Sequence, residues 1–401
     1  MRTHSLVLTE PSSVRLGVIG LGNMGRYHSS ILKSGKIPGA TLAAGCDLVP
    51  ETASHLGGVP YFEDYHKLYA SGLVDAVVVA TPHYDHTPAG IAALQAGLHV
   101  MMEKPLTVEK AEAERLIFAH QDKHLVFGAM LNQRTNPLYI KVRELVHSGE
   151  LGRINRVHWT ITDWFRTQAY YRSSSWRATW IGEGGGVLIN QAVHNLDLLQ
   201  WIFGMPASVF GRCQFGRHHA IEVEDEAIAI LQYADGKTAT FVTSTGEAPG
   251  LNRLEIAGDR GLLIVEGGAL TFLRNEHPTS NAIQHFVEGY SRPQAWRAEI
   301  PVPGQPGSQH AGILQNFVRA INQEDDLIAP ASEGIHSVEL LNAILLSSLE
   351  NRIVNLPLDA EAYHQHLEAL KKNSSLPSDV VSREGWATNY DFGAGQGGWA
   401  Q

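Results

Sequence analysis

The stretch Val14-Arg15-Leu16-Gly17-Val18-Ile19-Gly20-Leu21-Gly22-Asn23-Met24-Gly25 decides how the rest of the chain is read. An apolar, β-branched run meets a Gly-x-Gly-x-x-Gly pattern and then a helical pattern over 24–35. Gly20 permits a tight turn, Gly22 lets backbone approach a pyrophosphate, and Gly25 lets a helix pack close to a strand. The start of the helix adds N–H groups that have no partner inside it. Alone, the glycines are equally a plain turn. With a strand before and a helix after, they predict a dinucleotide-binding loop contacted through Gly20, Gly22, Asn23, Met24 and Gly25.

The surrounding sequence repeats that rhythm. Short β-branched runs at 14–19, 42–46, 76–80, 98–102 and 125–130 alternate with helical patterns at 24–35, 86–97 and 108–121. Alternation of this kind predicts an α/β fold that begins with a doubly wound parallel sheet. After a helix at 137–147 the character changes. Strands are predicted at 153–162, 209–215, 227–233, 238–244 and 251–257, with a tight turn at 234–237. They make a second α/β domain with a largely antiparallel sheet, interrupted by one helix over 187–203 and followed by helices at 311–322 and 333–350. The stretches 274–310 and 372–401 read as surface arms or lids. The predicted domains are 1–135, 136–362 and a C-terminal arm at 363–401.

Bulk properties agree with two packed cores. The chain has 401 residues, 44% hydrophobic and 18% charged, beyond the size at which a single core stops growing. A net charge of −10 argues against wholesale adhesion to nucleic acid or an anionic membrane. The first 14 residues lack an apolar signal core, and no stretch has the ~20 apolar residues of a membrane span. The two cysteines, Cys46 and Cys213, read as small buried residues in a reducing compartment. A cytoplasmic protein is expected.

Asp47 stands just beyond the second strand, followed by Leu48 rather than arginine. A carboxylate there accepts ribose hydroxyls and repels a 2′-phosphate, so NAD is expected over NADP. The plainer reading makes Asp47 the cap of a helix starting near Pro50. The strand at 76–80 runs into Thr81-Pro82-His83-Tyr84-Asp85-His86 and the strand at 98–102 into Glu103-Lys104-Pro105. Open α/β sheets bind ligands at strand carboxyl ends, which makes Thr81, Pro82, His86, Glu103 and Lys104 cofactor-side residues. His83 or His86 could equally serve only to start a helix. Lys104 is the best catalytic candidate, because a lysine beside a nicotinamide stabilises a developing alkoxide.

A third constellation runs from Gly184-Gly185-Gly186 through Asn190 and His194 to Asp197. On one helix these three polar residues share a face among buried apolar neighbours. Such a stripe needs partners, which a substrate pocket or an internal hydrogen-bond network would supply equally well. His194 is the natural proton acceptor, its unperturbed pKa lying nearest neutrality. Upstream, Arg166, Tyr171, Trp176 and Arg177 belong to an aromatic and arginine cluster that lines a ligand or forms an interface. Of the twenty histidines, His120, His124, His218 and His219 lack metal-ligand spacing and read as exposed; no metal is expected.

Together, the glycine loop, Thr81-Pro82 with His86, Glu103-Lys104-Pro105 and the glycine triplet leading to His194 and Asp197 make residues 14–350 resemble the Gfo/Idh/MocA oxidoreductases. The resemblance implies a Rossmann domain followed by an open-faced mixed sheet used for substrate binding and oligomerisation. It also implies catalytic roles for Lys104 and His194 and a cis bond before Pro105. Asn190, the third candidate, departs from the family, where inositol dehydrogenases commonly carry Asp four positions before the histidine. The expected reaction moves a hydride between NAD and a ring secondary alcohol of a sugar or glycoside, in a homodimer or homotetramer. The alternatives are an inositol dehydrogenase, an enzyme that recycles tightly bound NAD between two sugars, and a cofactor-sensing binding protein without catalysis.

Overall fold

In the computed structural model, residues 13–303, 309–377 and 380–381 are described, and they fall into two compact units. The first comprises 13–103, 115–130 and 310–332; the second comprises 104–114, 131–303, 309, 333–377 and 380–381. The chain leaves the first unit between Glu103 and Lys104.

The first unit is built on six parallel strands: β1 (Val14–Ile19), β2 (Ala40–Cys46), β3 (Tyr61–Phe62), β4 (Ala76–Val79), β5 (His99–Met102) and β6 (Phe127–Ala129). Their order is β3-β2-β1-β4-β5-β6. Parallel neighbours need crossovers, supplied here by helices that include α1 (Asn23–Lys33), α2 (Tyr65–Tyr69) and α3 (His86–Gln95). All four residues of β4 are buried, as befits a strand with both faces covered. Strand order reverses between β1 and β4, and the loops after them meet at the switch point where such sheets bind ligands. Beyond this sheet the chain forms α4 (Lys110–Ala119) and α5 (Pro137–His147).

The second unit contains β7 (Ile154–Ile161), β8 (Ser208–Phe215), β9 (Glu224–Gln232), β10 (Thr238–Ser244), β11 (Asn252–Gly258), β12 (Gly261–Glu266), β13 (Ala269–Asn275), β14 (Ala295–Glu299) and β15 (Val354–Asn355). They form one sheet in the order β14-β13-β12-β11-β7-β10-β9-β8-β15. Only β7 and β10 pair parallel; the other neighbours are antiparallel. Burial alternates along the strands. On β9, Ala227, Ala229 and Leu231 are buried while Ile228 and Ile230 are exposed, so one face belongs to the core and the other is open.

The remaining helices are α6 (Gln168–Tyr171), α7 (Val187–Asn190), α8 (Val193–Phe203), α9 (Thr279–His285), α10 (Gln309–Ile321), α11 (Ala331–Glu350) and α12 (Ala360–Lys372). Three expectations are corrected. The helix predicted over 187–203 breaks at Gln191 and Ala192 into α7 and α8. The stretch read as an arm from 274 holds α9 and β14, and β14 pairs with β13. Its side chains are almost all exposed, so no alternation announced it. Residues 363–372 are helical, with Tyr363 and Leu367 buried one turn apart; the rest of the expected arm, beyond 381, lies outside the described residues. Among the described residues no helix is long and apolar enough to cross a membrane.

Candidate active site

After β1 the chain turns at Gly20 with φ +84°. A Cβ there would lie 2.6 Å from the carbonyl oxygen of Ala80, so only glycine lets the ends of β1 and β4 approach this closely. Gly22 is the opposite case. Among the described residues a Cβ there meets nothing within 4 Å, and Gly22 stands exposed at the start of α1, where no described side chain is hydrogen-bonded to the first turn's N–H groups. Packing does not demand glycine at that position, whereas a pyrophosphate lying against the backbone does. Asn23 and Met24 follow in the first turn.

Asp47 accepts from the Leu21 N–H at 2.5 Å through one oxygen and from the Val49 N–H at 2.9 Å through the other. It thereby fastens the glycine loop to the end of β2. The turn at Pro50 has Val49 as its cap residue and no side-chain cap, which sets aside the plainer role. Each carboxylate oxygen keeps lone-pair capacity for a hydroxyl. Leu48 beside it is exposed and offers no cation to a 2′-phosphate. At the end of β4, beside exposed Pro82, the Thr81 hydroxyl is buried with no hydrogen-bond partner among the described residues. These features fit NAD.

Two predicted cofactor residues face inward instead. His86 is 1% exposed, with Nε2 3.1 Å from the Thr81 carbonyl, so it steadies the loop after β4. Glu103 is 4% exposed, and its carboxylate meets Nε2 of His28 on α1 at 2.6 Å. Both hold walls in place.

In the second unit, Nζ of Lys104 donates to the backbone oxygen of Asn190 at 2.9 Å. The Lys104–Pro105 peptide bond is cis. Asn190 ends α7, and its side-chain amide donates to the carboxylate of Glu183. Glu183 is buried and accepts from the Ala178 N–H at 2.7 Å, with the Arg177 guanidinium 3.5 Å away. Burial pushes the Glu183 carboxyl above its ordinary range, against the opposing pull of Arg177, the Ala178 N–H, Asn190 and Lys104. Arg177 also donates to the Tyr170 hydroxyl at 2.7 Å and lies 4.7 Å over the rings of both Tyr170 and Trp176.

The glycines fix where α7 starts. A Cβ on Gly186 would sit 1.9 Å from the backbone oxygen of Glu224, so glycine lets α7 lie against β9. The Glu224 side chain then caps α7 from outside, accepting from the N–H groups of Gly186 at 2.9 Å and Leu188 at 3.0 Å. Burial raises its carboxyl to about 7.

His194 stands half-buried in the first turn of α8. Asp197 leaves the expected stripe: it binds Arg134 at 2.7 and 2.9 Å and Gln200 at 2.9 Å, inside the core. The break between α7 and α8 takes Asn190 off the shared face, which presumes one continuous helix, while Asp197 stays on α8 with His194 and is taken up by Arg134. Tyr171 is 3% exposed with its hydroxyl engaged by Thr245 at 2.8 Å, so it shapes a wall and presents no polar tip. Arg166 lies over the rings of Trp164 and Tyr170. Behind it His219, expected to be exposed, is inserted between the Arg166 carbonyl at 2.9 Å and buried Asp225 at 3.0 Å. A cavity of about 460 Å³ opens beside Arg177 and Tyr171, while Lys104, Asn190 and His194 do not line it.

Sequence reasoning missed Glu183, Glu224 and His28, and counted Tyr170 only as a member of the aromatic and arginine cluster, without a role of its own. Glu183 alone left a trace, as a charged residue flanked by glycines directly before a buried helix.

Residues 14–130 match the description "Oxidoreductase family, NAD-binding Rossmann fold", and residues 139–264 match the GFO/IDH/MocA C-terminal domain. The chain belongs to the Gfo/Idh/MocA oxidoreductase family, and its cofactor is NAD. It is 24% identical to an inositol 2-dehydrogenase of Rhizobium meliloti, a match covering 86% of this chain and 99% of that one. It is 26% identical to levoglucosan dehydrogenase of Pseudarthrobacter phenanthrenivorans, covering 86% and 98%. Among solved structures it resembles the WlbA dehydrogenase of Bordetella pertussis in complex with NADH and UDP-GlcNAcA, at TM-score 0.71 and 26% identity, covering 86% of this chain and 100% of that one.

Proposed function

We propose that this chain oxidises a ring secondary alcohol of a sugar or glycoside, with a cyclitol as the alternative substrate. The observation that carries the reading is Lys104, held at 2.9 Å by the backbone of Asn190 in a chain whose glycine loop fits NAD. NAD, when bound, supplies the acceptor for the hydride that leaves the carbinol carbon. His194 takes the hydroxyl proton as the O–H bond breaks. The Lys104 ammonium stabilises the negative charge that builds on that oxygen before the C=O bond forms. Asn190 has one amide N–H committed to Glu183, and the rest of the amide orients a neighbouring ring hydroxyl. Arg166, Trp176 and Arg177 supply guanidinium donors and aromatic faces for the ring. Tyr171 shapes the wall behind them. On the cofactor side we assign Gly20, Gly22, Asn23, Met24, Gly25, Asp47, Thr81 and Pro82 as contacts, with His86 and Glu103 as supports.

A panel of sugars, glycosides and inositols assayed for NADH appearance tests this. Turnover of a ring polyol is the expected result; NAD binding with no NADH from any member would support the cofactor-sensing alternative. We further propose self-association through the open sheet face. Phe210 and Ile230 are exposed register partners on β8 and β9, with exposed Ile228 two residues along, and such a stripe favours a second copy. Light scattering is expected to give a dimer or tetramer mass, and a monomer mass at micromolar concentration removes the idea. The reducing compartment suggested by buried, unpaired Cys46 and Cys213 makes the cytoplasm the proposed location.

A further inference from the structure

Asn190 carries no charge, yet the site it belongs to contains a buried carboxylate directly behind it. Glu183 accepts from the Asn190 amide, and the backbone oxygen of the same asparagine receives Lys104. We propose that Glu183 is the positioning carboxylate of this site: it anchors Asn190, through which Lys104 is docked, and its negative charge supports the lysine as an ammonium. The inference rests on reading Lys104 as the group that stabilises the alkoxide.

The donor and acceptor roles explain the residue choice. An aspartate in place of Asn190 could only accept, and would press two carboxylates together; asparagine donates to Glu183 and leaves a single charge. A buried carboxylate is costly unless it is paired and hydrogen-bonded. Glu183 has the Ala178 N–H, the Asn190 amide and Arg177, and it interacts electrostatically with Lys104. Further ionisable groups near it include Glu224 on β9 and Tyr171 on α6. A residue that merely tied down the loop at 177–178 would need no link to the lysine. Amide and carboxylate can also be exchanged in principle: Glu183→Gln combined with Asn190→Asp would restore the same hydrogen bond with its polarity reversed and keep one negative charge in place.

The test uses the full-length protein. Competitive acetylation with acetic anhydride across the alkaline range, read at Lys104 by mass spectrometry, reports the lysine's proton affinity without requiring turnover. It is run on wild type, Glu183→Gln and the double variant Glu183→Gln/Asn190→Asp, beside pH profiles of kcat on the substrate that the panel identifies. Removing the charge is expected to move the labelling midpoint down by about one pH unit, about tenfold in proton affinity. The alkaline limb of kcat moves the same way, and the double variant brings both back toward wild type. Should Glu183→Gln fail to fold, the double variant still decides: a midpoint near wild type supports the assignment, and a lowered one overturns it. Coincident midpoints in wild type and folded Glu183→Gln also overturn it, whether or not any sugar is oxidised. Failure of every ring polyol to yield NADH defeats the proposed reaction instead, and the labelling result then stands on its own.

Discussion

The chain has two glycine-rich junctions that lead into helices, and they are built for opposite ends. At Gly20–Gly25 the helix start is exposed and, among the described residues, uncapped, and a Cβ on Gly22 would meet none of their atoms within 4 Å. At Gly184–Gly186 the helix start is buried and capped by Glu224, and a Cβ on Gly186 would collide with the Glu224 backbone. Backbone donors left free of protein partners suit an anionic ligand. Donors already satisfied by a carboxylate do not, so the second set of glycines serves close packing and places Asn190 for Lys104. The same residue type thus marks a ligand seat in one unit and a packing seam in the other.

Each half of that contrast can be broken separately. The largest effect is expected at the lysine. Lys104→Met keeps most of the stem and removes the charge, so turnover should fall by about 10²–10³ while the NAD dissociation constant stays close to wild type. Next comes Gly186→Ala, whose methyl group cannot be accommodated 1.9 Å from a carbonyl oxygen. It should destabilise the protein by about 3 kcal/mol or more, as overpacking does, and lower the melting temperature clearly in calorimetry. Gly22→Ala should leave that melting temperature within a degree or so and weaken NAD about tenfold in titration calorimetry, because its methyl meets only the ligand. Equal melting losses in both glycine variants would erase the contrast.

The smallest effect concerns the cap on α7. Burial raises the Glu224 carboxyl to about 7 from an ordinary 4.5, so the folded state holds that proton more tightly than the unfolded chain does. Its contribution is therefore full below about pH 4.5 and is lost as pH rises through about 7. Glu224→Gln keeps an oxygen for the Gly186 and Leu188 N–H groups and removes the titration. The melting temperature of this variant should vary less between these pH values than that of wild type.

Much of the first unit was legible because its signals are local. A β-branched run, three glycines and a following helix lie within one short stretch, and β1 begins and ends where the sequence placed it. The second unit was legible in five of its nine described strands, β7 to β11, and much less so in its site. The expected stripe of Asn190, His194 and Asp197 presumed an unbroken helix, and no residue type at Gln191 or Ala192 announces the break. Glu183 reaches Asn190 across a glycine run, and Glu224 reaches α7 from a distant strand, so neither contact follows a helical or strand period. His86 and Glu103 were placed in the right loops but face inward, since position along a strand end says nothing about side-chain direction.

Hydride transfer itself can be followed directly. On the ring polyol that the substrate panel identifies, deuterium is placed on the carbinol carbon and the nicotinamide product is weighed by mass spectrometry. The predicted product is NADH carrying one deuterium, formed by wild type and formed about 10²–10³ more slowly by Lys104→Met. Unlabelled NADH, or labelled NADH formed equally fast by both proteins, would contradict the proposed role of Lys104 in hydride transfer.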